Sequence, residues 1–154
     1  MGNTLTINTD ASFCSETQAS GWAFTIVTEG LKVKKHGSFK VKPVDSNQAE
    51  LMAIGNALHY LVNMKDQIYI RWFYINTDSK DSITKIKTPR MPLEAEVNYL
   101  RNESILKLRS TKNFFTHVKS HSGANDKRSK ANEWCDYWAG REMKKQREEF
   151  LKLK

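Results

Sequence analysis

The sequence predicts one α/β domain built on a five-stranded mixed sheet, with the first three strands antiparallel, the later strands parallel, and helices flanking the sheet. Three observations predict it. The chain has 154 residues, 39% of them hydrophobic, which suits a single core of ordinary size. Period-two runs fill its first part, and runs of helical period dominate after residue 46. The segments fall in the order β-β-β-α-β-α-α-β-α, in which an antiparallel front leads into strands joined by helical crossovers.

Each element has its own signal. "TLTINTD" alternates, with Leu5, Ile7 and Thr9 on one face and Thr6, Asn8 and Asp10 on a polar one. "GWAFTIVTEG" and "LKVKKHGSFKVK" form an antiparallel pair over residues 20–42, joined at Glu29-Gly30. "NQAELMAIGNALHYLVNM", residues 47–64, is the clearest helix, and Asn47 followed by Glu50 reads as a capping box. "IYIRWFYINTD" is a nearly continuous apolar and aromatic run, the mark of a central strand buried on both faces. A short helix follows from Ser79 to Lys87, and Pro89 and Pro92 break the chain. "LEAEVNYLRNESILKLRS" is amphipathic, "NFFTHVKS" is the fifth strand, "HSGAND" a loop, and residues 127–152 a last helix. The division expected is a domain over 1–143 with a basic helical extension over 144–154.

Charge points to a polyanionic partner. The net charge is +8, and residues 112–154 hold 11 Lys or Arg against 6 Asp or Glu. No stretch approaches the ~20 apolar residues of a membrane span, and the N-terminus lacks the basic-then-apolar layout of a secretory signal. Cys14 and Cys135 have neither framework nor metal spacing and read as reduced thiols. A monomer in the cytoplasm is expected.

The tetrapeptide Ile-Asn-Thr-Asp occurs twice, at 7–10 and at 75–78, each time closing a strand. Ligands gather at the carboxyl ends of strands in open α/β sheets, so Asp10 and Asp78 are candidates for one site. A plainer reading is that Asp78 or Ser79 caps the following helix. Glu50 tops a stripe formed with Ile54, Ala57 and Leu61, which aims a carboxylate at the sheet, where an unpaired charge is costly. The alternative is that it turns back to the Asn47 amide. Asp136, in "ANEWCDYWAG", sits mid-helix, where Asp is a poor helix former.

Taken in order, the strand Asp10, the hairpin, "NQAELMAI", "INTDS", "VKSHSG" and "NEWCDYWA" resemble the type 1 ribonuclease H family over about residues 4–143. The resemblance implies a ribonuclease H-like fold and an endoribonuclease that cleaves the RNA strand of RNA/DNA hybrids, leaving 5′-phosphomonoesters. It implies Asp10, Glu50, Asp78 and Asp136 as ligands of two Mg²⁺, with Mn²⁺ able to substitute, and His121 as a loop group for proton transfer or product release. It also implies hybrid contacts from Ser12, Asn47, Lys80, Lys119 and Asn132. The chemistry agrees with the residue types. Hard oxygen ligands suit Mg²⁺, two ions serve both ends of a phosphodiester displacement, and clustered carboxylates repel each other until a cation arrives. Lys80, Lys119, Lys127, Arg128 and Lys130 flank these segments and are candidates for phosphate contacts.

Three features depart from the family pattern. Ala11 follows the first Asp where the family usually has Gly. The interval "KIKTPRMPLEAEVNYLRNESILKLRS" holds no tryptophan and several acids where family members often carry a basic protrusion. The chain ends in "REMKKQREEFLKLK", a basic stretch expected to take over part of that role.

Overall fold

Strand β1 (Thr4–Phe13) lies in the middle of the sheet because it has a partner of each polarity. It pairs antiparallel with β2 (Ser20–Thr28), which pairs antiparallel with β3 (Leu31–Ser38). On its other side it pairs parallel with β4 (Trp72–Thr77), which pairs parallel with β5 (Lys112–His117). The order is β3-β2-β1-β4-β5, the mixed sheet that the sequence predicts. The computed structural model describes residues 3–65, 68–110, 112–117 and 127–153.

Two helical layers cover the sheet. Helix α1 (Ser46–Val62) packs on β1 and β2, and α3 (Pro92–Leu108) packs on α1. Leu5, Ile7, Phe24, Ile26, Ile54, Leu58, Phe73 and Ile75 form the core of this side. Lys107 of α3 donates to the carbonyls of Leu61, Val62 and Met64, which closes the C-terminal end of α1 with a cation. Helix α4 (Lys127–Lys152) covers the opposite face over β1, β2 and β3. Gly21 allows this close approach. A Cβ there would fall on the Ala139 carbonyl and 2.6 Å from the Met143 nitrogen, so β2 and α4 meet backbone to backbone.

The local structure revises the cap of α1 and the burial of β4, and adds two details. The cap of α1 is Asp45, whose Oδ1 accepts from the Gln48 amide at 2.8 Å, while Gln48 Oε1 accepts from Val44 at 2.8 Å. The Asn47–Glu50 capping box is therefore not formed, because a better-placed acid two residues earlier takes the cap. The face of β1 that carries Asn8 and Asp10 is buried, since α4 lies on it. Strand β4 is unevenly buried: Phe73 and Ile75 are in the core and Asn76 is buried on the other face, whereas Tyr74 on that face is half-buried and stacks on Phe114, itself 44% exposed. Helix α2 (Lys80–Lys87) is capped by Ser79, whose Oγ accepts from the Ser82 amide.

Candidate active site

The two Ile-Asn-Thr-Asp segments run side by side. In the parallel ladder Ile7 pairs with Ile75 and Asn8 with Asn76. Asn76 Nδ2 donates to Asn8 Oδ1 at 3.1 Å, and Asn8 Nδ2 donates to Thr25 Oγ1 at 3.3 Å, so buried amides tie β4, β1 and β2 together beneath α4. The Cys135 thiol of α4 donates to the Asn8 carbonyl at 3.5 Å. This clamp fixes the strand ends that carry Asp10 and Asp78.

Glu50 comes in from the first turns of α1. With Asp45 capping the helix, its carboxylate faces the sheet. One oxygen from each of Asp10, Glu50 and Asp78 lies within 4.8 Å of the others. Asp10 is 2% exposed, and its Oδ1 accepts from the Ala11 amide at 2.9 Å. Glu50 Oε2 is buried and has no hydrogen-bond partner among the described residues. The electrostatics follow from this crowding. Burial, and then the charge of Asp78, raise the Asp10 carboxyl to about 8. Burial, and then Asp10 and Asp78, push Glu50 well above the usual carboxylate range. Asp136 adds a smaller repulsion to Asp10 but is exposed on α4 and outside the compact trio.

This arrangement can hold a hard cation. All three donors are oxygens, they converge, and their mutual repulsion is relieved by positive charge.

A comparison of the sequence with protein families matches the RNase H profile over residues 2–144. The chain belongs to the RNase H family. Family membership makes it a ribonuclease H enzyme. Curated protein sequences give no match. Among solved structures the chain is similar in fold to RNase H1 of the halophilic archaeon Halobacterium salinarum, at 16% identity and a TM-score of 0.59, covering 92% of this chain and 98% of that one. It is similar to the N-terminal RNase H domain of a Mycobacterium tuberculosis protein at 14% identity and a TM-score of 0.66, covering 95% and 97%. It is also similar to LC11-RNase H1 in complex with an RNA/DNA hybrid, at 15% identity and a TM-score of 0.62, covering 89% and 97%.

Around the trio, the other positions expected from the sequence fall unevenly. Ser12 is half-buried on β1, two residues past Asp10 and on the same strand face, while Asn47 and Lys80 are exposed on the first turns of α1 and α2. Lys130 is exposed, and Asn132 is 6% exposed, under α4. His121 and Lys119, and the side chains of Lys127 and Arg128, lie outside the described residues. From the sequence, His117 matches no motif and reads as structural. Its Nε2 donates to the Asp78 carbonyl at 3.0 Å, and the signal was its place at the end of β5, level with Thr77. The sequence shows the Asn8–Asn76 clamp only as the repeated Asn.

Proposed function

We propose that the chain hydrolyses the RNA strand of RNA/DNA hybrids as an endoribonuclease, by a two-metal-ion mechanism with Mg²⁺, leaving 5′-phosphomonoester ends. The observation that carries this reading is the oxygen-only trio of Asp10, Glu50 and Asp78 at the ends of β1 and β4 in an RNase H chain. An RNase H1 of similar fold has been solved in complex with an RNA/DNA hybrid, which supports the choice of substrate.

When bound, two such ions supply an activated water and stabilise the leaving oxyanion. The chain's own residues hold and orient. Asp10, Glu50 and Asp78 form the binding set, with Asp136 joining from its exposed edge. The Ala11 amide fixes one oxygen of Asp10, and the Asn8–Asn76 clamp fixes the spacing of the two strands. His117 holds the backbone carbonyl of Asp78. His121 is assigned proton transfer or product release. Ser12, Asn47, Lys80 and Lys119 are assigned contacts with the 2′-hydroxyls and phosphates of the hybrid. Asn132, buried, acts through the seat of α4. Mn²⁺ replaces Mg²⁺ in this reading, the working unit is a monomer in the cytoplasm, and residues 1–143 form the catalytic domain. No helix among the described residues is long and apolar enough to cross a membrane.

A panel of labelled substrates tests the proposal: hybrid, duplex RNA, single-stranded RNA and duplex DNA, each with Mg²⁺ and with EDTA. Cleavage of the RNA strand of the hybrid alone, abolished by EDTA, with 5′-phosphate products, is expected. Preferred cleavage of another substrate, or activity that survives EDTA, overturns it. In the same assay, His121→Ala lowers kcat more than it changes hybrid affinity, and wild-type kcat at every Mg²⁺ concentration removes His121 from the mechanism.

A further inference from the structure

The basic C-terminal stretch is not a loose tail. Helix α4 continues to Lys152, eight residues past the end of the RNase H match at 144. Gln146 anchors this added part. Its Oε1 accepts from the Ser20 amide at 2.8 Å, and its Nε2 donates to the Phe39 carbonyl at 3.1 Å, with the side chain only 9% exposed. One glutamine thus ties the extension to the start of β2 and to the segment after β3. The Lys42 ammonium over the Phe150 ring, 4.5 Å from its centre, adds a second tie.

Anchoring at Gln146 sets the direction of its neighbour. Residues 136, 140, 143 and 147 share one side of α4 by helical spacing. Asp136 marks that side as the border of the acid site, since it follows Cys135, whose thiol donates to the carbonyl of Asn8, two residues before Asp10. Arg147 stands eleven residues further on, about 16 Å along the axis. The path between them is open at Gly140, where an added Cβ would meet nothing within 4 Å. Strand β1 runs alongside, with Asp10 and Ser12 at alternate positions, and Phe13 ends it about 10 Å beyond Asp10. At the far end the geometry is set by Gln146, whose Oε1 accepts from Ser20, and Ser20 pairs with Phe13 three residues past Asp10.

We infer that Arg147 is a phosphate contact for the hybrid, set about five base-pair steps from the cleavage site along the side of α4 that carries Asp136 and Gly140. This inference rests on the hybrid reading above. A guanidinium matches a phosphate with two parallel hydrogen bonds. A half-buried, anchored arginine has already lost part of the freedom that binding would otherwise take from it. The contact supplies affinity where the basic protrusion of other family members is missing, and it comes from a part of the chain outside the RNase H match.

Binding of the full chain to fluorescent hybrids in Ca²⁺ tests it, read as affinity against salt. One hybrid is too short to reach Arg147, about four base pairs beyond the cleavage position, and one is long enough, about twelve. Arg147→Gln is expected to weaken the long hybrid about fivefold and lower its log–log salt slope by about 0.9, with the short hybrid unmoved. Arg147→Lys restores the slope, and it carries the test if the Gln variant melts early. Lys65→Ala, on an exposed cation past the other end of α1, serves as the control. An unchanged slope on the long hybrid overturns the inference, as does equal weakening of both lengths. Wild-type cleavage of the hybrid in Mg²⁺ is followed in parallel, so that an enzyme that cleaves it but ignores Arg147 defeats this inference alone.

Discussion

Asp10 and Asp78 end two copies of the same tetrapeptide, and parallel pairing of β1 with β4 brings their carboxylate oxygens within 4.8 Å of each other. The repeat is one register seen twice. Identical residues stand opposite one another, so the two Asn side chains bond and the two Asp side chains repel.

That repulsion predicts paired behaviour of Asp10→Asn and Asp78→Asn without metal. Above pH 8, where Asp10 is ionised, each removes one charge from the crowded site while keeping the shape of the side chain. Thermal stability in EDTA should hold or rise, by about 1 kcal/mol. Adding Mg²⁺ should raise the Tm of the wild type more than that of either variant, through linkage to metal binding. Marked destabilisation of both variants in EDTA would instead mean that the carboxylates support the strands.

The pH dependence follows from the direction of the shifts. In the unfolded chain Asp10 titrates near 3.8, and in the native chain it is raised to about 8. The native state therefore binds more protons between those values, and metal-free stability falls as pH rises through that window. Glu50 is shifted the same way and adds to the fall. Mg²⁺ needs the ionised carboxylates, so its apparent affinity should rise toward pH 8, with protons released on binding. Denaturation in EDTA at several pH values, and calorimetry in two buffers of different ionisation enthalpy, read both effects. A metal-free stability that climbs across the window would be incompatible with the buried trio.

The amide clamp makes a separate prediction. Asn76→Ala leaves Asn8 Oδ1 without its donor at a buried position, at a cost of about 1–3 kcal/mol. Urea denaturation at fixed pH measures it. A loss near zero would show that the Asn8–Asn76 bond contributes nothing net.

Gly21→Ala should loosen α4. The added methyl overlaps the backbone of Ala139 and Met143, and the overpacking should cost about 1–3 kcal/mol or more. Because α4 carries Asp136, activity should fall together with stability. A variant with wild-type Tm would mean that α4 can withdraw from β2 without penalty.

Much of this was legible in the sequence, and for identifiable reasons. Strand alternation in "TLTINTD" and helical spacing after Asn47 gave the element order, because burial of one face imposes a period on the residues. Among the acids, Glu50 stood out as an exception to that period at the head of an apolar stripe, and Asp10 and Asp78 as the ends of a repeated tetrapeptide. The α1 cap was misread because Asn47 and Asp45 both satisfy capping preferences, and only backbone geometry chooses between them. The polar face of β1 gave no sign of its cover, because nothing local shows that α4, over a hundred residues later, will lie on it. Gln146 gave no signal at all, since its two bonds go to backbone atoms distant in sequence.

Hybrid cleavage by three proteins, wild type, Asp10→Asn and Asp78→Asn, tests the shared metal site most directly. With labelled RNA in the hybrid and Mg²⁺ present, the wild type should cut the RNA strand, and each variant should lose activity by several orders of magnitude while retaining its fold. Full activity in either Asn variant would contradict a site built from the two aligned strands.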